Sequence, residues 1–191
     1  MRLTTLAAAC AASLLPATLP AQVMASEHAV VSQTVDGTVI TVQYFRPQRR
    51  GRSHLFGGVV PWGQPWTPGA NWATTIEVTR DVRVDGHPLP RGRYSLWTIP
   101  QPGEWTVILS SAWKRFHVEG PDPAAPQVRF TVKPDSAPVL DVLTFTFPAV
   151  APDGTTLQMH WGTMLLDLRF TVPPSNPSTA PATRADSAGR R

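Results

Sequence analysis

The sequence is poor in cysteine. Its 191 residues include a single one, Cys10, so the chain cannot form an intrachain disulfide. Cys10 lies in an N-terminal segment that we expect to be removed on export. The protein that remains then has no thiol, which excludes thiol catalysis and zinc sites with cysteine ligands.

Local motifs for metal binding and nucleophilic catalysis are also missing. The histidines are never spaced as H-x-H or H-x-x-x-H, and no G-x-S-x-G sequence is present. They stand at His28, His54, His87, His117 and His160. We therefore predict no metal ion and no cofactor. The lack of a catalytic motif favours a protein that is not an enzyme, but this stays open because catalytic triads assemble from distant residues.

Charged residues are scarce, at 16% of the chain, and neither sign dominates its central part. Four of the 17 basic residues and one of the 13 acidic residues lie outside residues 26–172, which leaves 13 against 12. A nucleic-acid-binding domain carries a basic stripe, so this near-neutral part predicts no nucleic-acid partner. One basic cluster is either a solvated loop or a local anion contact. Its members are Arg46, Arg49, Arg50 and Arg52.

No apolar run has the length of a membrane span. The N-terminal run, residues 3–19, is broken by Pro16 and falls short of the roughly 20 residues that a span needs. Together with the small residues after it, this run is typical of a secretion signal, cleaved after Ala21 or Ala25. Lipid attachment through Cys10 is disfavoured because only nine residues precede it. We expect an exported protein, periplasmic or extracellular, without a transmembrane anchor in its mature form.

The sequence divides into three parts. Residues 1–25 form the predicted signal peptide, residues 26–172 a single domain, and residues 173–191 a tail rich in Pro, Ser, Thr and Ala. The tail has little apolar surface to bury, so we expect it to be disordered. A domain of about 150 residues buries roughly 68–70% of its unfolded surface, which is enough for one hydrophobic core.

The central part shows no helical pattern, and the chain contains 21 prolines, which break helix interiors. Short alternating runs such as Ile40, Val42 and Tyr44 predict strands instead. Asp-Gly pairs at 36–37, 85–86 and 153–154 mark turns. The pattern predicts an all-β protein, a single antiparallel β-sandwich or barrel-like domain of about nine to ten short strands. The predicted strands are residues 29–35, 38–45, 72–79, 82–84, 93–99, 104–110, 127–133, 139–147, 155–161 and 163–172.

One long segment, residues 46–71, departs from the strand rhythm. It is rich in glycine and proline, yet it also carries Phe56, Trp62 and Trp66. Loops longer than about 12–15 residues inside a compact domain are usually functional or disordered, and large aromatic side chains argue against disorder. We therefore predict an ordered loop that packs over an opening of the sandwich.

Five sequence blocks follow one another through the central part. They are GGVVPWG at 57–63, WTPGANWATT at 66–75, LPRGRYSLWTIP at 89–100, EWTVI at 104–108 and LQMHWG at 157–162. This ordered set resembles the bacterial domain-of-unknown-function family 2911, over about residues 38–172. The resemblance implies an exported all-β domain and no activity that can be carried over. Thr67 and Trp72 stand where the family is expected to have arginine and glutamate, so the resemblance implies no site that needs this charged pair.

Aromatic and polar residues of the long loop and its surroundings are the candidate ligand contacts. Trp62 and Trp66 either stack on sugar faces or plug the end of the sandwich, and Asn71 either fixes the loop backbone or meets a ligand. We favour a ligand-binding module that takes a small molecule, glycan or envelope component in an aromatic-lined groove near Trp62, Trp66 and Trp72, with Asn71 at its edge. The candidate ligand-binding residues are Arg52, His54, Trp62, Trp66, Asn71, Trp72 and His117.

Two other functions stay open. One is an enzyme of hydrolase or lyase type, which needs at least two polar side chains within hydrogen-bond reach in a cleft. Its candidate residues are Arg52, His54, Asn71 and His117. The other is an envelope assembly or protein-interaction factor that pairs through an exposed strand edge and presents a flat surface without a pocket. The sequence carries no signal for the oligomeric state.

Overall fold

Ten β-strands make up the regular structure of the protein. The computed structural model describes residues 26–175, so the predicted signal peptide and most of the predicted tail lie outside the described residues. Within that range there are no helices, and the strands form two antiparallel sheets. The all-β class predicted from the sequence is confirmed. The strands are β1 Glu27–Val35, β2 Thr38–Arg46, β3 Thr75–Val78, β4 Val82–Val84, β5 His87–Leu89, β6 Gly92–Ile99, β7 Trp105–Ser110, β8 Gln127–Val132, β9 Asp135–Ala151 and β10 Gly154–Thr171.

The larger sheet has six strands in the order β1-β2-β3-β6-β7-β8. It begins with a hairpin in which Val35 pairs with Thr38 across the two-residue turn Asp36-Gly37. Both turn residues have positive φ angles, 43° and 73°, as this kind of hairpin turn requires. The turn fixes the register of β1 against β2, and with it the β2 side chains that face outward.

The smaller sheet has four strands in the order β5-β4-β10-β9. Most of it is one long hairpin, because β10 pairs with β9 from Gly154 opposite Ala151 to Leu165 opposite Asp135. The pairing contains three register shifts, and two of them flank Gly162, whose φ is 60°. Bulges of this kind bend a long strand and increase its twist, which allows β9 to reach β1 and β2 of the larger sheet.

A shared hydrophobic core lies between the two sheets. Ile40 and Val42 of β2 are fully buried, as their alternation predicts. From the smaller sheet, Phe145 meets Tyr44 of β2 edge to face, with 4.8 Å between ring centroids, and its N–H donates to the Tyr44 hydroxyl at 3.1 Å. Full burial of a large apolar side chain contributes about 1.5–3 kcal/mol. The two sheets remain separate, so the fold is a sandwich and the barrel-like alternative is wrong.

Four strand predictions differ from the structure in detail. β9, Asp135–Ala151, extends four residues beyond the predicted strand 139–147 at each end, because its two ends are largely exposed and show no alternation. β5 is missing from the prediction, because three residues that include Pro88 carry no alternation. The two strands predicted at 155–161 and 163–172 are the single β10, because Gly162 bends the chain without ending the pairing. β3 begins later than predicted, since Trp72 pairs with Phe116 outside the sheet.

Candidate functional site

The long loop between β2 and β3 is ordered and packs against the core, as predicted. Leu55 and Val60 are buried, and the ring of Phe56 lies among four indoles. Aromatic pairs at such distances stabilise a fold by about 0.5–1.5 kcal/mol beyond the area that they bury, so these contacts hold the loop in place. The Phe56 centroid lies 4.8 Å from that of Trp105, 5.5 Å from Trp66, 6.2 Å from Trp161 and 6.3 Å from Trp62.

Trp66 is part of this packed interior. Its indole stacks on Trp161, with 6.0 Å between centroids and 15° between ring planes. Its backbone N–H and carbonyl both pair with Thr98, at 2.8 and 2.7 Å. Of the two roles that the sequence left open for Trp66, these contacts match the packing role.

Trp62 and His54 line a small cavity of about 220 Å³ on the loop. His54 is exposed, and its Nδ1 lies 2.9 Å from the Ser53 hydroxyl. Neither Trp66 nor Trp72 lines this cavity. The three tryptophans of the expected groove therefore do not all line this cavity, and the structure gives them separate surroundings.

Arg52 is exposed and helps to shape the turn that precedes His54. Its N–H donates to the Arg49 carbonyl at 3.1 Å, and its carbonyl accepts from the Arg49 guanidinium at 3.2 Å. Arg49 also lies 3.6 Å from Asp141 of β9, measured from Nε to Oδ1. These contacts place Arg52 in a turn anchored to the smaller sheet.

Two fully buried threonines fix the end of the loop. The Thr67 hydroxyl donates to the Leu96 carbonyl at 2.9 Å and accepts from the Thr74 N–H at 2.9 Å. The Thr74 hydroxyl donates to the Pro68 carbonyl at 2.7 Å. A charge enclosed at Thr67 would need a partner to offset its desolvation, so a neutral hydroxyl suits this position, where the family is expected to have arginine.

Between these two threonines, the chain pairs with the segment that follows β7. Asn71 has a φ of 59°, in the left-handed region that asparagine tolerates better than most residues. Its carbonyl accepts from the His117 N–H at 2.8 Å, and the Ala73 N–H donates to the Arg115 carbonyl at 2.9 Å. The amide nitrogen of the Asn71 side chain is enclosed without a hydrogen-bond partner in the described part of the chain. The backbone of Asn71 therefore joins the two segments.

A groove of about 600 Å³ lies between this paired segment and the outer face of the larger sheet. Gln43 and Phe45 line it from β2, because they alternate with buried positions and face away from the core. Trp72 and Trp113 line it from the paired segment, and the Trp72 side chain is 53% exposed. Small-ligand sites typically have volumes of about 300–1,000 Å³, so this groove, hereafter the outer groove, has the size of one.

Two of the charged side chains on the outer groove are paired with opposite charges. Arg93 of β6 donates from Nε to the Glu77 carboxylate at 2.9 Å. Glu119 lies 3.2 Å from the Arg115 guanidinium, four residues away, and also accepts from the Phe116 N–H at 3.1 Å. Because each charge is offset by its partner, Arg93 and Glu119 contribute little to the electrostatic field that a ligand in the groove would meet.

Lys114, also on the outer groove, has a different environment. Its Nζ lies 5.0 Å from the centroid of the Trp113 ring, a cation–π distance. Between residues 26 and 175, no carboxylate lies within ion-pair distance of it. The outer groove therefore combines the exposed Trp72 ring and two half-buried aromatic rings with one ammonium group that has no counter-charge in the described residues.

Only part of the predicted site meets at the outer groove. Trp72 lines it, and Asn71 and His117 lie beside it through their backbone contact. Arg52, His54, Trp62 and Trp66 lie along the loop, away from the groove lining. The binding role of all seven residues stays a prediction.

Sequence reasoning missed Phe45, Trp113 and Lys114. A signal for Phe45 was available, because its alternation with Tyr44 directs a large aromatic ring away from the core. Trp113 and Lys114 lie in an irregular segment after β7, where no periodicity predicts which way a side chain points.

The two alternative functions stay predictions. The contact between members of the proposed catalytic set joins backbone atoms of His117 and Asn71, not their side chains. The presence of the outer groove departs from the flat surface expected of an assembly factor. No group of three or more His, Cys, Asp or Glu side chains in this part of the chain is placed to hold a metal ion.

Comparison with other proteins identifies the family. No helix in residues 26–175 has the length and apolar character needed to cross a membrane. Neither the curated proteins nor the solved structures contain a match. A family model described as a protein of unknown function, DUF2911, matches residues 26–170, from the start of β1 almost to the end of β10. The resemblance predicted from five sequence blocks is confirmed, and the chain belongs to the DUF2911 family.

Proposed function

We propose that the protein is an exported binding module that holds a glycan in the outer groove, against the indole of Trp72. The observation that carries this proposal is the 53% exposure of Trp72 on a cavity of about 600 Å³. Apolar surface that stays in water contributes nothing to stability. A sugar ring stacked on the indole would remove that surface from water, so ligand binding accounts for a tryptophan that the fold leaves open.

The chemistry of the groove suits a sugar. A sugar ring presents an apolar face and a rim of hydroxyl groups. Phe45, Trp72 and Trp113 offer aromatic surface for the face, and the Gln43 amide and Thr75 hydroxyl offer donors and acceptors for the rim. A mainly apolar site with a few polar groups that fix orientation is the usual composition of a small-ligand pocket.

Export belongs to the same proposal. It is supported by the basic residue, apolar stretch and small residues of the N-terminal sequence, which are typical of a secretion signal. An exported protein meets the glycans of the cell envelope, which are therefore the first ligands to test.

Binding of defined oligosaccharides to the purified protein tests the proposal. The probes are chitotriose, cellotriose, trigalacturonic acid and the N-acetylglucosamine–N-acetylmuramic acid disaccharide. A ligand at 100 times its Kd adds about 2.7 kcal/mol of stability, which a thermal shift detects, and calorimetry then gives the Kd. We expect Trp72→Ala to weaken binding of the responding sugar at least about tenfold, because burial of a large apolar side chain against the sugar is worth about 1.5–3 kcal/mol and about 1.4 kcal/mol corresponds to a tenfold change in Kd.

A matched control separates the outer groove from the loop cavity. Trp62→Ala makes the same change in the cavity that also contains His54, so it should leave the Kd unchanged. Trp66→Ala is unsuitable here, because the loss of its stack on Trp161 disturbs the core. A Kd that rises with Trp62→Ala and stays constant with Trp72→Ala would contradict the proposal.

A further inference from the structure

We infer that the outer groove selects acidic glycans, with the carboxylate of a sugar residue placed against Lys114. This inference rests on the proposed function and names the class of glycan that the groove takes. It follows from the charges that line the groove and from the way in which they are paired.

The first step is the charge balance. Arg93 is bonded to Glu77, and Glu119 is bonded to Arg115. Lys114 is exposed and has no acidic partner in the described part of the chain, so the lining of the outer groove carries an uncompensated positive charge. A ligand that supplies one negative charge complements this lining, and complementary charge gives a binding site its specificity.

The second step is the position of the Lys114 ammonium. Two cations lie close to the Trp113 ring. The Arg93 guanidinium carbon is 4.8 Å from the ring centroid, and the Lys114 Nζ is 5.0 Å from it. The ring attracts each of them through its negatively charged face. The ring thus holds the Lys114 ammonium on the lining of the outer groove, beside the aromatic surface proposed to contact the sugar.

The third step is the choice of a carboxylate over a phosphate. A phosphate monoester carries a charge of about −1.5 to −2 at pH 7, which is more than one free cation offsets, whereas a carboxylate carries a single charge. The Arg93 guanidinium already donates from Nε and Nη2 to Glu77. What remains is one ammonium beside aromatic rings, which matches a single negative charge on a sugar ring stacked nearby.

Two pairs of probes test this inference on the purified protein. One is trigalacturonic acid and its methyl ester, in which the acid is part of the sugar ring. The other is the N-acetylglucosamine–N-acetylmuramic acid disaccharide and its methyl ester, in which the acid is a lactyl group. We expect at least one acid to bind about tenfold or more tightly than its ester, since a charged hydrogen bond is lost in the ester, and the responding pair tells which source of carboxylate the groove takes.

The two lysines of the chain provide matched variants. Lys114→Met removes the charge but keeps the apolar stem, and it should abolish the preference for the acid. Lys114→Arg retains a cation and should preserve that preference. Lys133→Met causes the same change in net charge at an exposed position outside the outer groove, so it should leave both Kd values unchanged.

The possible outcomes separate this inference from the proposed function. If acid and ester bind equally, and Trp72→Ala weakens both, the inference is overturned and the proposed function stands. If the acid preference survives in Lys114→Met, the carboxylate contacts another group and the inference is again overturned. If only the neutral chitotriose or cellotriose binds in a manner that depends on Trp72, the inference is overturned and the proposed function stands. If no probe binds in that manner, these neutral sugars included, both proposals fail.

Discussion

Thr67 joins the end of the β2–β3 loop to β6 through one hydroxyl group. Its Oγ1 donates to the Leu96 carbonyl and accepts from the Thr74 N–H, and the side chain is fully buried. Thr67 and Trp72 are the two positions at which this chain departs from the residues expected of the family. The structure gives them opposite surroundings, since Thr67 is enclosed while Trp72 is 53% exposed. The loop is therefore closed by a neutral residue and followed by an open aromatic one.

Replacing Thr67 by valine tests the importance of this hydroxyl. Valine has nearly the same shape but makes neither hydrogen bond, so the Thr74 N–H is left buried without this partner. An unsatisfied buried group costs about 1–3 kcal/mol, and we expect the free energy of unfolding in urea to fall by that amount. Thr67→Ser keeps the hydroxyl and should lose much less. Equal stabilities of the serine and valine variants would show that the hydrogen bonds contribute nothing.

At this scale the sequence predicts residue types better than their surroundings. It places Trp62 and Trp66 in one loop and Trp72 at the start of the next predicted strand. It does not predict that Trp66 stacks on Trp161 of β10, a residue 95 positions later. Such contacts depend on which strands become neighbours, and local pattern does not contain that information. Trp72 lies on the outer groove, and its exposure follows from the pairing of its segment with Phe116.

At the scale of elements, β10 depends on a glycine in its middle. Gly162 has a φ of 60°, which residues with a Cβ rarely adopt, and a Cβ there would lie 2.7 Å from the Leu55 Cδ1. Both the left-handed backbone, at about 1–2 kcal/mol, and the collision oppose a side chain. We expect Gly162→Ala to lower the free energy of unfolding by at least about 1 kcal/mol, as measured by urea denaturation.

Gly103 provides the control for this element. It lies in the turn between β6 and β7, its φ is outside the left-handed region, and an added Cβ would meet nothing within 4 Å. Gly103→Ala should therefore change stability by less than about 0.5 kcal/mol. A loss of the same size in both variants would mean that neither the φ angle nor Leu55 sets the requirement for glycine at 162.

The elements themselves are largely predictable from local chemistry. The Asp-Gly turns at 36–37 and 85–86 connect hairpins in the structure, and both residues of each turn have positive φ. Alternation locates β2, β6 and β7 to within one residue at either end. The short strand β5 is not predicted because its residues show no alternation. The prediction divides β10 into two strands because a glycine within a strand has the same sequence signature as a turn.

At the scale of the whole molecule, the pairing between distant strands could not be predicted from the sequence. β10 lies between β9, its neighbour along the chain, and β4, some 70 residues earlier, and β3 pairs with β6 across the β4–β5 hairpin. Local periodicity does not say which sheet a strand joins. This pairing also decides the surroundings of the two Asp-Gly turns, which have the same local sequence.

Asp36 and Asp85 have similar backbones, with φ angles of 43° and 44°, but opposite electrostatic surroundings. Burial raises the pKa of Asp85 above its ordinary value of 3.8. A hydrogen bond with the Arg169 backbone and the charge of the Arg169 side chain lower the pKa by less than burial raises it. Its Oδ2 is enclosed without a hydrogen-bond partner in residues 26–175. By contrast, hydrogen bonds from Ser175 to the exposed Asp36 carboxylate lower its pKa. The tertiary structure thus gives two equivalent turns opposite effects on the pH dependence of stability.

The variants Asp85→Asn and Asp36→Asn should therefore respond to pH in opposite directions. Because the Asp85 pKa is raised in the folded state, that state binds more protons, and stability falls as the pH rises from below 3.8 through the folded pKa. Asparagine tolerates the same backbone and cannot ionise, so Asp85→Asn should be more stable than the parent at pH 7, with no such gain below pH 3.

The lowered pKa of Asp36 stabilises the fold above pH 3.8, and this contribution is lost as the pH falls through the folded pKa. Asp36→Asn should therefore be less stable than the parent at pH 7, and this difference should vanish in acid. Urea denaturation of the parent and both variants from pH 2.5 to 7 measures the two effects. If both variants shift stability in the same direction at pH 7, the aspartates of these turns do not differ in the way that their surroundings predict.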